Sequence, residues 1–143
     1  MSNLTAFLAQ NAIKVEIAEH PVSKRFIDPD TKEVMNWKVG AVTSDEDELI
    51  RKQHTRRLPV PGKKNMYQPV TDFEAYAATL AVKCTLFPDL NNKELQDSYK
   101  VMDAESLLKK MLLPGEYAEY LKYIQNKNGF DVGMEEAVEE AKN

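Results

Sequence analysis

The chain has 143 residues, of which 43% are hydrophobic and 29% are charged, and its formal net charge is −4. This length and composition predict a single soluble globular domain over residues 1–143, exclude global disorder, and give no overall electrostatic reason to expect nucleic acid as a partner. No apolar run reaches the roughly 18 residues that a membrane helix needs, and one cysteine, Cys84, cannot form an internal disulfide.

The N-terminal third of the sequence has the pattern of a short helix followed by a β-hairpin. Leu4, Phe7 and Leu8 lie at positions i, i+3 and i+4, which predicts a helix over residues 3–11 with one apolar face. Alternating apolar and polar residues then predict β segments over 14–42, with the turn-forming sequence DPDTKE between two strands. We expect an antiparallel hairpin with one apolar face and one solvated face.

A helix and a proline-rich segment follow the hairpin. Thr43 and Glu46 have the spacing of a capping box, and the acidic start and basic end of the next stretch suit the helix dipole, which predicts a helix over 44–54. The segment 56–70 has three prolines, one glycine and no apolar period, which predicts a flexible loop. Because six of the fourteen residues from 51 to 64 are Lys or Arg, we expect this basic loop to be solvated and to become ordered on a protein partner.

The rest of the chain has the pattern of a helical bundle. Thr71 and Glu74 form a second capping box, and the helix that they begin carries Phe73 on its apolar face. Asn91 is the predicted N-cap of the next helix. Five helices are predicted, over 71–85, 92–99, 104–112, 114–127 and 131–141. The predicted fold is a small, mostly helical α+β domain in which the antiparallel β-hairpin packs on the helical bundle.

The oxygen-rich stretch FPDLNNKELQDSYKV, residues 87–101, resembles a calcium loop at first, but its spacing does not fit one. Such a loop needs an oxygen ligand at its fifth place and glycine at its sixth, where this stretch has Lys93 and Glu94. Helix capping explains its oxygen atoms better. His20 and His54 have no Cys or His at metal-ligand spacing, and no phosphate-binding glycine loop or hydrolase motif occurs. We therefore predict no catalytic residue, no metal and no cofactor.

Three stretches carry a resemblance to a known family. They are VSKRFIDPD at 22–30, FPDLNNKELQDSYKVMDAESLLKKMLLPGEY at 87–117 and NGFD at 128–131, with NWKVGAVTSDEDELIRK between the first two. The sequence resembles the XkdN-like tail assembly chaperones of PBSX-type prophages in Gram-positive bacteria, and the resemblance covers nearly the whole chain. The stretch at 88–117 is the most specific, because a long ordered match is harder to reach by chance than a short motif.

The resemblance implies a non-enzymatic protein in the cytoplasm of a bacterial host. Chaperones of this family bind the long, largely helical tape measure protein before the tail tube polymerises around it, and they are absent from the finished particle. Tail tube subunits are a further partner that the resemblance suggests, and self-association into a homo-oligomer stays open. We expect neither a membrane nor nucleic acid as a partner.

The candidate contact surface combines two segments that are poorly explained as core. It consists of Leu4, Phe7 and Leu8 in the predicted N-terminal helix and of Arg56, Arg57, Lys63 and Lys64 in the predicted basic loop. A tape measure protein exposes long apolar helical stripes, which a soluble partner can cover through many modest contacts. Two alternatives stay open: a small nucleic-acid-binding regulator that uses the basic stretch from 51 to 64, and a permanent tail or baseplate component.

Overall fold

The structure is a computed structural model that describes residues 3–130. A 3-10 helix at Asn3–Phe7 comes first. The strands are β1 (Ala18–His20), β2 (Trp37–Val39), β3 (Thr55–Pro59), β4 (Tyr67–Thr71) and β5 (Thr85–Phe87). The α-helices are α1 (Ser44–Gln53), α2 (Phe73–Cys84), α3 (Lys93–Ser98), α4 (Ala104–Met111) and α5 (Pro114–Lys127). The prediction of a mostly helical α+β fold is confirmed, and the predicted helix 131–141 lies outside the described residues.

A three-stranded antiparallel sheet in the order β1-β2-β5 covers one side of the core. In β2, Trp37 and Val39 are buried whereas Lys38 between them is exposed, because successive side chains of a strand point to opposite faces. The hairpin of β1 and β2 therefore has the predicted apolar and solvated faces. Its strands occupy only part of the predicted β region 14–42, and the third strand, β5, was not predicted.

The core lies between this sheet and helices α2, α4 and α5. Its largest fully buried side chains are Trp37, Val39, Leu80, Cys84, Leu90, Leu107, Leu108, Tyr120 and Ile124. The Trp37 ring meets the Tyr120 ring edge-on, with 5.3 Å between the ring centroids. The Thr85 hydroxyl donates to the carbonyl oxygen of Ala81 at 2.7 Å, so the buried Tyr120 hydroxyl is the donor in its 2.5 Å hydrogen bond with Thr85. Both buried hydroxyl groups of the core therefore have hydrogen-bond partners.

The N-cap of α2 lies one residue later than predicted, and the helix spans Phe73–Cys84 instead of 71–85. The Asp72 carboxylate accepts a hydrogen bond from the backbone N–H of Ala75 at 3.1 Å, so Asp72 is the N-cap. The prediction that Thr71 caps this helix is wrong, because Thr71 belongs to β4 and its hydroxyl pairs with that of Thr55. Phe73 is 64% exposed rather than part of the core, since it lies in the first turn of α2, where no described element covers it.

The predicted cap of α3 is wrong by one residue. The Asn92 side chain accepts a hydrogen bond from the backbone N–H of Leu95 at 2.9 Å. Asn91 instead donates its backbone N–H to the Asp89 carboxylate at 3.0 Å, which is the geometry of an Asx turn. The oxygen atoms of this stretch therefore serve a turn and a helix start, as the sequence predicted, with the cap moved to the second asparagine.

Substitution of the two asparagines distinguishes the real cap from the predicted one. Asn92→Ala is expected to lower the free energy of unfolding by about 1 kcal/mol, because it removes the side-chain acceptor for a helical N–H group. Asn91→Ala is the matched control, since it retains the backbone hydrogen bond to Asp89, and should change the free energy by no more than about 0.5 kcal/mol. Urea unfolding followed by circular dichroism measures both. Equal effects of the two variants would contradict the assignment of Asn92.

The segment 56–70, predicted to be a flexible loop, forms most of a second antiparallel hairpin. In it β3 pairs with β4, with Thr55 opposite Thr71, and the pairing continues to the backbone N–H of Val60, which donates to Met66 at 2.9 Å. The loop prediction is wrong because a two-stranded sheet consists of edge strands only, where prolines are tolerated. Positive φ angles at Gly62 (77°) and Asn65 (59°) allow the turn between the strands.

The N-terminal segment differs from the predicted helix 3–11. It forms one short 3-10 helix, and the following turn is closed by the Asn11 side chain, which donates to the Thr5 carbonyl at 2.8 Å. Leu4, Phe7 and Leu8 are exposed, Phe7 to 78%. A helix of two or three turns is marginal unless its apolar face is buried, and here that face is not.

Candidate functional site

The hairpin of β3 and β4, which we call the arm (residues 55–71), has two different faces. Residues directly opposite each other in a hairpin share a face, and alternate residues along a strand share a face. The register therefore places Arg57, Pro59, Tyr67 and Pro69 on one face and Arg56, Leu58, Gln68 and Val70 on the other, with Val60 and Met66 continuing the second set. We call the second face, which is richer in aliphatic side chains, the inner face. Its Leu58, Met66 and Val70 are all exposed.

A groove of about 370 Å³ runs along the inner face of the arm. The arm contributes Arg56, Leu58 and Val70 to its walls. The end of α1 and the start of α2 contribute Gln53, His54, Asp72 and Ala75. Its volume is in the range of about 300–1,000 Å³ that is usual for binding sites. The groove therefore offers an apolar wall beside a positive charge.

Hydrogen bonds at the base of the arm hold it against the two helices. The Thr55 hydroxyl donates to the Arg51 carbonyl at 2.7 Å, so the Thr71 hydroxyl donates to Thr55 in the 2.8 Å bond between them. The backbone N–H of Asp72 donates to the His54 carbonyl at 2.8 Å. These bonds tie both ends of the arm to α1 and α2, which defines the width of the groove.

A second set of contacts joins α1 to α2 behind the arm. Asp47 accepts hydrogen bonds from Arg51 Nε at 2.9 Å and from the Tyr76 hydroxyl. The Arg51 guanidinium lies 4.9 Å from the centre of the Tyr76 ring and 5.6 Å from that of Phe130. Burial, together with the hydrogen bond to Asp47, raises the pKa of Tyr76 to about 12, and the hydrogen bond to Asp47 raises the pKa of Arg51. Tyr76 therefore remains a hydrogen-bond donor throughout the physiological pH range.

Both histidines make structural contacts. His54 Nε2 lies 2.8 Å from the Thr79 hydroxyl, which donates in turn to Glu105 at 3.4 Å. His20 stacks on Tyr123 with 3.9 Å between the ring centroids, and its partial burial lowers the pKa of the imidazole. Among residues 3–130, no three His, Cys, Asp or Glu side chains lie together in a way that would hold a metal ion. His54 and His20 thus contribute a hydrogen bond and a ring contact to the packing of the domain.

The cysteine is buried in the core and is poorly suited to nucleophilic chemistry. Burial raises the pKa of the Cys84 thiol, and only the thiolate is an effective nucleophile. Asn128 donates its side-chain N–H to the Cys84 sulfur at 3.3 Å and uses its carbonyl oxygen to accept the backbone N–H of Val42 at 2.9 Å. Cys84 is therefore part of a packing contact between α2 and the end of α5.

A second concave site lies between the three-stranded sheet and helices α3 and α4. It has a volume of about 200 Å³ and we call it the hollow. Its lining consists of Phe26, Met35, Trp37, Phe87, Pro88, Leu95 and Met111. A volume of this size exceeds the roughly 150 Å³ of an engineered cavity that holds benzene, so the hollow can take one large apolar side chain. The sequence did not reveal it, because its residues come from segments far apart along the chain.

The structure separates the predicted contact residues into two groups. Arg56 lies on the inner face of the arm and Arg57 on the opposite face, while Lys63 and Lys64 lie in the turn at its tip. Leu4, Phe7 and Leu8 lie on the N-terminal segment, which does not pack extensively on the arm. All seven side chains are exposed. Their role in binding stays a prediction.

The groove was not predicted, although the sequence contains a signal for it. Leu58 and Val60 alternate with polar or proline residues before the turn sequence PGKKN, and Met66 and Val70 do so after it. Two alternating runs around a glycine-containing turn are the pattern of a hairpin. If this alternation is given more weight than the prolines, the sequence predicts the arm and its inner face.

Comparison with known proteins shows relatives that match nearly the whole chain. Residues 4–142 match the phage XkdN-like tail assembly chaperone family. The protein YqbN of Bacillus subtilis (strain 168) is 32% identical over 142 residues, which cover 99% of this chain and 93% of YqbN. The protein XkdN of the phage-like element PBSX, from the same strain, is 30% identical over 99% of this chain and 94% of its own length.

The similarity extends to the fold. A crystal structure of the protein YqbN superposes with a TM-score of 0.76 at 30% sequence identity, over 92% of this chain and 99% of the other. None of the helices within residues 3–130 combines the length and the apolar character needed to cross a lipid bilayer. On the evidence of a family match along nearly its full length, the chain belongs to the XkdN-like family of phage tail assembly chaperones.

Proposed function

We propose that this protein binds the tape measure protein of a phage tail in the cytoplasm of the bacterial host, before the tail tube polymerises, and that it leaves before the particle is complete. The observation that carries the proposal is the exposed apolar surface of a chain that belongs, over nearly its full length, to a tail assembly chaperone family. Proteins of such a family act by binding other tail proteins. A non-enzymatic role is part of the proposal.

The exposed apolar surface suits a helical partner. The inner face of the arm presents Leu58, Met66 and Val70, and the hollow has Phe87 exposed at its edge. A long helical protein with apolar stripes can place its side chains in both sites. Because each site is small, several modest contacts would hold the partner, which allows the chaperone to be displaced when the tube forms. The proposal includes tail tube subunits as a second binding partner, which would bind after the tape measure protein.

Co-expression with the tape measure protein tests the proposed function. We expect the tape measure protein to be soluble and to co-purify with this chain when both are expressed, and to aggregate when it is expressed alone, since its apolar stripes are then uncovered. Size-exclusion chromatography of the purified complex gives the stoichiometry. A tape measure protein that is equally soluble with and without this chain would rule out the proposal. So would finding the chain as a permanent component of purified particles.

The predicted contact residues are tested in the same assay. One variant lacks residues 2–11 and has glutamine in place of Arg56, Arg57, Lys63 and Lys64. It is expected to co-purify less, because it has lost exposed apolar surface and four positive charges. The matched control replaces four other exposed lysines, Lys24, Lys38, Lys93 and Lys110, with glutamine and retains the N-terminus. Equal co-purification of both variants would show that these seven residues are not the contact surface.

The charge of the arm favours one other function. Between residues 55 and 71 there are four basic side chains and no carboxylate, in a chain whose formal net charge is −4. A nucleic-acid-binding regulator would use these charges to contact phosphates, and its affinity would fall steeply as the salt concentration rises. A gel-shift titration with duplex DNA at low and physiological salt measures this directly. Binding that survives at physiological salt would favour the regulator.

A further inference from the structure

We infer that the groove beside the arm is the docking site for an acidic amphipathic helix of the tape measure protein. This inference rests on the proposed function and adds to it the site, the conformation and the charge of the bound segment. Four features of the described residues lead to it: the apolar inner face, the prolines of the arm, its length and its charge.

The inner face of the arm exposes aliphatic side chains beside Arg56 and Gln68, where water would ordinarily favour polar residues alone. Leu58, Met66 and Val70 are exposed on it, and Ala75 of α2 extends the apolar surface across the groove. A two-stranded hairpin is only marginally stable in water. A partner that covers the inner face would bury these side chains against both the arm and α2. The arm and α2 can therefore hold the apolar surface of a partner between them.

The prolines of the arm favour a helix over a strand as the bound segment. An extended segment would bind by adding a third strand to one edge of the arm. Pro59 in β3 and Pro69 in β4 lack the backbone N–H that such an edge must offer, and proline on edge strands is a known protection against strand addition. The open surface is the inner face, onto which a helix can lay its apolar stripe.

The length of the arm matches a short helix. Its strands of five residues each extend for about 17 Å at about 3.4 Å per residue. A helix of about eleven residues has the same length at 1.5 Å per residue. Such a helix makes about three turns, so it presents three apolar side chains at i, i+4 and i+7 to the groove. The inner face offers a matching row of aliphatic side chains.

The charge of the arm specifies an acidic helix. Arg56 lies in the wall of the groove, and Lys63 and Lys64 lie at the tip of the arm. The one carboxylate of the groove wall, Asp72, already accepts a hydrogen bond from the backbone of α2. The positive charges beside the apolar row would therefore meet carboxylates that flank the apolar stripe of the bound helix. Positive charges at the same positions of the bound helix would oppose binding.

A designed peptide tests the chemistry of the groove in the intact chain. The probe is a fluorescent helical peptide with leucines at i, i+4 and i+7 flanked by glutamates, and the comparison peptide has lysines in place of the glutamates. We expect the acidic peptide to bind and the basic one to bind at least about tenfold more weakly, as measured by fluorescence anisotropy. Equal binding of both peptides would overturn the inference about charge.

Neighbouring arginines on opposite faces of the arm provide a matched pair of variants. Arg56→Gln on the inner face is expected to weaken binding of the acidic peptide by about two- to fivefold, which is the usual effect of one exposed ion pair. Arg57→Gln on the outer face removes the same charge one residue away and should change the affinity by less. Equal losses for the two variants would indicate attraction by overall charge and would overturn docking in the groove.

Apolar substitutions test the same face. Leu58→Ser with Val70→Ser is expected to weaken binding by about tenfold or more, since each removes an apolar side chain that the helix would cover. Tyr67→Ser is the control on the outer face. Thermal unfolding followed by circular dichroism verifies that each variant is folded, and a variant with an altered melting profile is replaced by Leu58→Ala with Val70→Ala, which shorten the same apolar side chains without adding a hydroxyl group.

Co-purification with the full tape measure protein separates failure of this inference from failure of the proposed function. If the tape measure protein binds the unaltered chain and the Leu58→Ser, Val70→Ser variant equally well, the proposed function holds and the groove is not its site. If it binds neither, the proposed function is wrong, and so is the assignment of a tape measure helix to the groove. Binding to the unaltered chain with loss in this variant and retention in Tyr67→Ser supports the inference. Duplex DNA that competes with the acidic peptide at physiological salt would overturn it.

Discussion

Replacement of Trp37 by alanine is expected to lower the free energy of unfolding by about 3–5 kcal/mol, the usual cost of removing a large buried aromatic side chain. Trp37 is 2% exposed and packs against Tyr120 and Phe26, with ring centroids 5.3 and 6.2 Å away. Domains have total stabilities of about 5–15 kcal/mol, so this variant should be close to unfolding at room temperature. Because Trp37 is the only tryptophan, far-UV circular dichroism in urea is the suitable measurement.

Phe73 is the control for this prediction. The sequence pattern placed it on the core face of α2, but it is 64% exposed, and the ring contact that Phe73→Ala removes is the edge-on contact with Tyr76, 6.4 Å between centroids. An aromatic pair of this kind contributes about 0.5–1.5 kcal/mol. A loss of stability in Phe73→Ala as large as that in Trp37→Ala would contradict the assignment of the core.

Replacement of Asp47 by alanine is expected to lower the free energy of unfolding by about 1–3 kcal/mol. Asp47 accepts hydrogen bonds from Arg51 and from the hydroxyl of the buried Tyr76. Its removal leaves that hydroxyl without its acceptor and loosens the contact between α1 and α2. We expect the melting temperature to fall and the amide hydrogens at the base of the arm to exchange faster with deuterium.

Glu48 provides the matched control, because it is the next acidic residue of α1 and also pairs with a base four residues later. The Glu48–Lys52 ion pair is 3.3 Å long and both side chains are well exposed, so Glu48→Ala should change stability by at most about 0.5 kcal/mol. A double-mutant cycle of Asp47→Ala with Tyr76→Phe isolates the energy of their hydrogen bond. Additive effects of these two substitutions would mean that the hydrogen bond contributes nothing to stability.

The helices illustrate what local patterns can predict. For α1, α4 and α5 the described bounds lie within one residue of the predicted ones. The backbone N–H of Thr43 donates to Glu46 at 3.2 Å, as the capping-box spacing predicted, and Pro114 begins α5. These features depend on residues at most four positions apart, so the sequence contains all the information that forms them.

The arm illustrates where local patterns fail. Its prolines predicted a loop, but its strands are formed by pairs such as Thr55 with Thr71, sixteen residues apart. Whether a proline is compatible with a strand depends on which neighbours that strand has, and this is a property of the assembled sheet. The shift of the α2 cap from Thr71 to Asp72 has the same cause, because the strand takes up Thr71.

The sequence by itself determined the fold class, the positions of the main helices and the family resemblance, which the comparison with known proteins confirmed. Those properties depend on short-range periodicity, on capping residues and on a long ordered match. Only the tertiary structure revealed the groove and the hollow. Residues 53 and 75 both line the groove, and residues 26 and 111 both line the hollow. Concave sites form where separate elements meet, so they depend on packing that no stretch of sequence records alone.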